Sequence, residues 1–245
     1  MKQDEKLILS RRFAPMFLTQ FFGALNDNVY KQALLLVITY GLIQQQTAPI
    51  STLNNLAALL FILPYFFFSA TAGQIADKYE RSQLVRWIKI LEIIIMLIGS
   101  AGFLLGNLWL LLFALFLMGT HSTCFGPIKY AILPEILKPN ELMSGNALFQ
   151  SGTSMAILLG MILGGAVIAS SDENLLWISI TVVTIACLGY LSSRFILPQK
   201  IAAPDLQIDW NFIRTSFQTL KYAKSLPIVF TILLGLRRAS KKKAP

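Results

Sequence analysis

The 245-residue chain contains few charged residues, few cysteines and a single histidine. Asp, Glu, Lys and Arg make up 13% of the residues, about half of the share found in soluble domains. Cys124 and Cys187 both lie in apolar segments, which excludes a disulfide framework. With His121 as the one histidine, no spacing typical of a metal site can be formed. We therefore expect no metal and no other cofactor.

Motifs of common enzyme classes are also missing. The sequence has neither a GxSxG nucleophile elbow nor a P-loop. His121 is followed five residues later by Gly126, where glycerolipid acyltransferases need an aspartate. We expect that the chain is not an enzyme.

The sequence contains long apolar runs, and 55% of the residues are hydrophobic. A run of roughly 20 apolar residues is long enough to cross about 30 Å of hydrocarbon. We predict an all-α, polytopic membrane protein with a bundle of six transmembrane helices in residues 13–197 and a partial seventh helix. The predicted spans are 13–43, 53–75, 87–106, 108–125, 142–169 and 175–197.

Basic residues favour one side of the predicted bundle. The three loops on the opposite side, 44–52, 107 and 170–174, contain no Lys or Arg. By the positive-inside rule, both ends of the six-helix unit are cytoplasmic, with a cytoplasmic amino terminus at 1–12 and a cytoplasmic linker at 198–225. This asymmetry accounts for the net charge of +9 without a nucleic-acid partner.

Residues 226–245 read as a partial seventh helix followed by a basic tail. The apolar part covers only 226–236, about half of a membrane span. This pattern favours a truncation or frameshift product over a designed terminus. Sequencing the DNA beyond codon 245 would test that expectation.

A polar stripe runs along the first predicted helix. Gln20, Asp27 and Lys31 recur at helical spacing, and Asn26 and Asn28 flank the acid. A charge at the bilayer centre costs roughly 2.5 to 3.5 kcal/mol, so such residues usually line a pathway or pair inside a bundle. We predict that Asp27 and Lys31 pair and that the stripe lines a substrate or ion pathway. A structural salt bridge that fixes helix packing is the alternative.

Four further polar side chains inside the predicted spans complete the candidate pathway: Glu92, His121, Asn146 and Gln150. Glu92 follows Lys89 by three residues, which is consistent with a pair near the cytoplasmic interface or with a role in coupling. His121 is either a proton shuttle or a hydrogen-bonded packing residue. Asn146 and Gln150, one turn apart, either face the same interior or join helices.

The segment 73–81, GQIADKYER, resembles the loop signature of the major facilitator superfamily. Gly73, Asp77, Lys78 and Arg81 match it, whereas Glu80 stands where the signature has its second glycine. We expect Gly73 to permit close packing at the helix end. The acid and the basic groups are expected to form a charge network there, as part of a conformational loop motif.

Two segments more specifically resemble the lysophospholipid transporter branch of that superfamily. They are FFGALNDNVYK at 21–31 and FGPIKYAILPE at 125–135. The resemblance implies flipping of a lysophospholipid, such as lysophosphatidylethanolamine, across the bacterial inner membrane. It also implies alternating access between two six-helix halves, of which this chain supplies the first. The implied partners are membrane lipids, the lysophospholipid substrate, and a missing carboxy-terminal half or an acyltransferase.

Two alternatives to this interpretation stay open. A transporter of the same superfamily that exchanges drugs or metabolites for protons would use Asp27, Glu92 or His121. A nonfunctional truncated remnant, or an anchor for another subunit, would need none of them. Because polar groups left open to hydrocarbon are costly, transport by the chain alone is not expected.

Overall fold

The computed structural model describes residues 7–42, 48–170 and 174–225, and these residues form helices without any strand. The seven helices of 14 or more residues in these ranges are α1 (Ala14–Thr39), α2 (Ile50–Lys78), α3 (Arg81–Leu104), α4 (Leu108–Ile136), α5 (Leu142–Ser170), α6 (Leu176–Ser193) and α7 (Phe212–Ser225). The predicted partial seventh span and basic tail, 226–245, lie outside the described residues. The predicted all-helical fold is confirmed.

Within the described residues, five helices, α2 to α6, are long and apolar enough to cross a membrane, compared with six predicted spans. Helix α1 has 26 residues, which at 1.5 Å per residue is about 39 Å and sufficient to cross. Its apolar character is lowered by Asp27, Lys31 and the neighbouring amide side chains. The polar stripe is therefore the reason why α1 is less apolar than helices α2 to α6.

Helix α1 lies inside the bundle and packs most extensively against α5 and α6. Helix α3 packs against α4 and α6, while α2 packs against α4 and α7. Gly160 and Gly164 bring α5 close to α1, since a Cβ at either position would lie 2.6 Å from the backbone oxygen of Leu25 or Val29. Small residues at such crossings allow backbones to approach each other closely. The position of α1 thus depends on these two glycines.

Helix α4 extends eleven residues past the predicted end of its span. The predicted span ended at residue 125, but the helix continues through Pro127 and Pro134 to Ile136. A proline removes one hydrogen bond, and neighbouring helices can compensate for this loss inside a bundle. As a consequence, Lys129 lies on a helix and not in a loop.

Ion pairs join helix ends on one side of the bundle. The Arg81 side chain, 7% exposed, contacts Glu135 of α4 and lies 3.3 Å from Asp77 of α2. Arg12 lies 2.6 Å from Glu141, which precedes α5. Asp77 and Arg81 of the loop motif therefore do form a charge network, and α4 contributes to it because it is longer than predicted.

Two residues of the loop motif behave differently from the expectation. Apart from its own helix backbone and chain neighbours, no described atom lies within 4 Å of a Cβ placed on Gly73, so the close packing expected there is absent. The Lys78 ammonium lies over the Tyr79 ring, 5.9 Å from its centroid, and makes no ion pair with a described residue. Within the motif, the interhelical contacts come from Arg81.

Glu80, which replaces the second glycine of the signature, caps the amino terminus of α3. One carboxylate oxygen accepts hydrogen bonds from the backbone N–H groups of Ser82 (2.8 Å) and Gln199 (2.7 Å). The other accepts from the Ser82 hydroxyl (2.8 Å) and the Gln83 N–H (2.9 Å). Partial burial alone would raise the pKa of Glu80, but these hydrogen bonds, that of Gln199 foremost, lower it below the usual 4.5.

Replacing Glu80 by alanine is expected to destabilise the chain by about 1 to 2 kcal/mol through loss of this cap. The folded-state pKa is lowered, so the stabilisation is present above the unfolded pKa and lost as pH falls through the folded pKa. The difference in Tm between wild type and Glu80→Ala in detergent should therefore be present at pH 7 and shrink below 4.5. The exposed Asp205 provides the control Asp205→Ala. Equal Tm values for Glu80→Ala and wild type at pH 7 would exclude the capping role.

Candidate functional site

A polar cavity of about 230 Å³ lies between α1, α2, α4 and α5. Its lining residues are Gln20, Gly23, Ala24, Asp27, Asn28 and Lys31 of α1, Phe61 and Tyr65 of α2, Ser122, Phe125 and Lys129 of α4, and Thr153 and Ile157 of α5. One carboxylate and two ammonium groups thus share this polar cavity. Four of the nine predicted pathway residues lie in it.

Asp27 and Lys31 are not ion-paired, so the predicted pairing is wrong. One Asp27 carboxylate oxygen, Oδ2, accepts a hydrogen bond from the Ser122 hydroxyl at 2.8 Å. The other, Oδ1, is buried and accepts no hydrogen bond from any described residue. The Lys31 ammonium lies 4.4 Å from the centroid of the Phe61 ring, in a cation–π contact. Each charge therefore has a partner on another helix, and one acceptor oxygen of Asp27 is left without one.

An apolar cavity of about 270 Å³ adjoins the polar cavity between α1, α2 and α4. The two cavities share Lys31 and Phe61. The remaining lining residues are Leu34, Leu35, Asn54, Ala57, Ala58, Ile62 and Leu115. Charged groups and a hydrocarbon surface therefore meet at one point, an arrangement that suits an amphiphilic ligand.

A second set of polar residues, the buried cluster, consists of Asn26, Lys89, Glu92 and His121. Glu92 accepts hydrogen bonds from the Lys89 ammonium at 2.6 Å and from the Asn26 amide at 3.0 Å. The side chains of Lys89 and Glu92 are 0% and 1% exposed. His121 Nε2 lies 3.4 Å from Glu92, but the geometry is not that of a hydrogen bond, and neither ring nitrogen bonds to a described residue. The buried cluster joins α1, α3 and α4.

The predicted pathway residues therefore separate into three groups. Gln20, Asp27, Asn28 and Lys31 line the polar cavity, where the Gln20 amide donates to the Thr153 hydroxyl at 3.1 Å. The second group consists of Asn26, Glu92 and His121. We had included these residues in the pathway, but they belong to the buried cluster and line neither cavity.

Asn146 and Gln150 form the third group and are exposed on α5. The Asn146 amide donates to the backbone oxygen of Leu142 in its own helix, at 2.9 Å. Neither residue lines the polar or the apolar cavity. The common interior position considered for these two residues is not found in the structure.

Comparison with known proteins identifies the family. The sequence matches the family model of the Major Facilitator Superfamily over residues 16–237. The chain belongs to the Major Facilitator Superfamily. The resemblance of the loop signature to this superfamily is thereby confirmed, and the helices support the prediction of a multi-pass membrane protein.

Several relatives of this superfamily member carry the name lysophospholipid transporter LplT. One from Pectobacterium carotovorum subsp. carotovorum (strain PC1) is 28% identical over 196 residues, covering 80% of this chain and 44% of the relative. Another from Yersinia pestis (strain Pestoides F) is 30% identical over 171 residues, covering 67% and 38%. The same figures hold for one from Yersinia pseudotuberculosis serotype O:3 (strain YPIII). The chain spans less than half the length of these relatives.

Sequence reasoning missed several residues that complete the polar cavity of this superfamily member. Ser122 and Thr153 gave no signal, because hydroxyl side chains in apolar helices usually bond to their own backbone. Tyr65 and Phe61 could not be distinguished from membrane-facing aromatic residues. Lys129 lies in the family-like segment 125–135, but Pro127 and Pro134 in that segment suggested a loop.

Proposed function

We propose that this chain forms one half of a lysophospholipid transporter that moves lysophosphatidylethanolamine across a membrane by alternating access. The proposal rests on the junction of the polar and apolar cavities at Lys31 and Phe61. A lysophospholipid has one charged head group joined to one acyl chain, which corresponds to this pairing of cavities. The names of the relatives support the same substrate class.

In this proposal the polar cavity binds the zwitterionic head group. Asp27 binds the ethanolamine ammonium through the carboxylate oxygen that accepts no hydrogen bond from any described residue. Lys31 and Lys129, the two ammonium groups of the cavity, bind the phosphate. Hydrogen bonds between such oppositely charged groups are roughly twice as strong as neutral ones, so the head group would be held mainly by these three side chains.

The apolar cavity receives the acyl chain. Leu34 and Leu115 form its buried wall, while Leu35 and Ile62 are 43% and 50% exposed on the rim. Each methylene that leaves water contributes about 0.8 kcal/mol, so the chain supplies affinity while the head group supplies selectivity. Partly exposed apolar residues at the rim would let an acyl chain enter from the bilayer.

The proposed transporter lies in the bacterial inner membrane, with both ends of the bundle 13–197 and the linker 198–225 in the cytoplasm. The absence of Lys and Arg from the loops 44–52, 107 and 170–174 supports this orientation. A second six-helix half completes the translocation path, as in transporters of this architecture. In this scheme the polar cavity forms one wall of the path.

Binding to the purified chain in nanodiscs tests the head-group assignment. We expect saturable binding of fluorescent lysophosphatidylethanolamine, weakened at least about tenfold by Asp27→Asn because a charge-assisted hydrogen bond is lost. Asp205→Asn, which makes the same chemical change at an exposed position, should have no effect. Lysophosphatidic acid, which has no ammonium, should bind to Asp27→Asn at least as tightly as to wild type.

Equal affinity of wild type and Asp27→Asn for lysophosphatidylethanolamine would refute the assignment of Asp27. Reconstitution of a full-length version with both six-helix halves into proteoliposomes with a pH gradient distinguishes the competing function. Proton-driven efflux of a cationic dye, without saturable lysophospholipid binding, would identify a drug or metabolite antiporter instead.

A further inference from the structure

The buried cluster and the polar cavity are connected through adjacent residues on two helices. On α1, Asn26 belongs to the buried cluster, while the next residue, Asp27, lines the polar cavity. On α4, His121 belongs to the buried cluster, while Ser122 lines the cavity and donates to Asp27. A rotation or shift of either helix therefore changes both sites together.

The buried cluster lies directly behind the wall of the polar cavity. A Cβ added to Gly23, which lines the cavity, would lie 2.6 Å from the Lys89 ammonium. The same ammonium lies 5.4 Å from the centroid of the Phe125 ring, another part of the wall. On the far side, a Cβ at Gly189 of α6 would lie 3.5 Å away. Lys89 therefore occupies a space between α1, α4 and α6 that the absence of a side chain at Gly23 leaves open.

We propose that Glu92 is a positioning residue for Asp27. Its carboxylate accepts from Lys89 on one oxygen and from Asn26 on the other, so it ties α1 to α3 one residue away from Asp27. This tie fixes the rotation of α1 at which Asp27 Oδ2 accepts from the Ser122 hydroxyl, while Oδ1 accepts no hydrogen bond from a described residue. Glu92 itself lines neither cavity.

A role in stability alone explains this arrangement less well. Apolar side chains of similar volume often replace a buried ion pair without loss of stability, so the pair is not needed to hold the helices together. Buried hydrogen bonds to charged groups have a defined direction, which apolar packing lacks. What the Glu92 carboxylate adds is a specific acceptor for Asn26 at a fixed point on α1.

Two neutral double variants of the full chain test the effect of the acceptor for Asn26 separately from the effect of the charges. Lys89→Met with Glu92→Gln removes both charges but keeps an amide oxygen that can accept from Asn26. Lys89→Met with Glu92→Leu removes both charges and the acceptor. Neither variant leaves a charge unpaired within the buried cluster, so the hydrogen bond to Asn26 is the main difference between them.

The readout is the infrared band of the Asp27 carboxyl group, assigned by subtracting the spectrum of the matching Asp27→Asn variant. With the positioning role, the band of the Gln variant matches wild type. The band of the Leu variant shifts in the same direction as that of Ser122→Ala, which removes the hydrogen bond directly. Identical bands for the two double variants would overturn the proposal.

A pair of single variants tests the same tie if the double variants do not fold. Asn26→Ala removes the bond to Glu92 and should shift the Asp27 band. Ser100→Ala removes another buried hydrogen bond of α3, that to Ser179 of α6 (3.3 Å), and should not. An unshifted band in Asn26→Ala, or an equal shift in both variants, would equally overturn the proposal.

The consequence for lipid binding rests on the proposed function and is measured separately. We expect the Leu variant to bind lysophosphatidylethanolamine about tenfold more weakly than the Gln variant, since one hydrogen bond to a charged group loses its geometry. A shifted Asp27 band with unchanged affinity would support the positioning role and contradict the assignment of Asp27 to the head group. An unshifted band contradicts the positioning role whatever the affinity.

Discussion

Replacing Lys89 alone by methionine is expected to lower the free energy of unfolding by about 3 to 5 kcal/mol. The substitution leaves Glu92, 1% exposed, as a buried carboxylate without its ion-pair partner. Among the described residues, the other basic group next to it is His121, which lacks hydrogen-bond geometry toward it. Unfolding of the purified chain in detergent, followed by circular dichroism, would measure the loss.

Two controls separate the cost of an unpaired charge from the loss of a lysine side chain. Adding Glu92→Leu to Lys89→Met should recover most of the stability, because no buried charge remains. Arg214→Met breaks an exposed pair, with 4.0 Å between Arg214 and Asp209, and should cost less than about 1 kcal/mol. Wild-type stability of Lys89→Met would show that an unpaired Glu92 carboxylate costs the bundle nothing.

Combining Gly160→Ala with Gly164→Ala is expected to destabilise the chain by about 3 kcal/mol or more, because overpacking at each site typically costs 1 to 3 kcal/mol. Each added methyl group would lie 2.6 Å from a backbone oxygen of α1, at Leu25 or Val29. Backbone atoms inside a helix cannot turn aside as a flexible side chain can. Relief therefore requires α5 to move away from α1 along their shared interface, which a lower Tm in detergent would report.

Gly165→Ala provides a matched control in the same helix. No described atom lies within 4 Å of a Cβ at Gly165, and alanine favours a helix over glycine by up to about 1 kcal/mol. The control should therefore leave Tm unchanged or raise it. If all three substitutions changed Tm equally, helix propensity and not the α1–α5 contact would be responsible.

The sequence could predict the part of the candidate site that lies on the single helix α1. The spacing of Gln20, Asp27 and Lys31 correctly placed them on one face, and all three line the polar cavity. The same spacing made Asp27 and Lys31 neighbours, but it contained no information on Ser122 or Phe61. Those partners come from α4 and α2, and they determine how each charge is satisfied.

The division between the polar cavity and the buried cluster could not be predicted. Asn26 and Asp27 are adjacent in the sequence, and only the packing of α3 against the bundle shows that they have different surroundings. The sequence left two possible roles open for each of Glu92 and His121, because a single polar residue in an apolar helix has no periodicity. The end of α4 was misjudged for a related reason, since the cost of Pro127 and Pro134 depends on the surrounding helices.

The part of the linker ahead of α7, residues 198–211, is attached to the loop motif at three points. Backbone N–H groups of Gln199, Ala203 and Asp209 donate to Glu80, to the backbone oxygen of Asp77 and to Gln74, respectively. Helix α7 itself packs against α2. A sideways displacement of α7 would thus act directly on the junction between α2 and α3 through these hydrogen bonds. It would not have to be transmitted through the packed helices of the bundle. The loop motif is therefore mechanically coupled to the segment that follows the sixth helix, and Asp77, which accepts from Ala203, connects that segment to the Arg81 ion pairs.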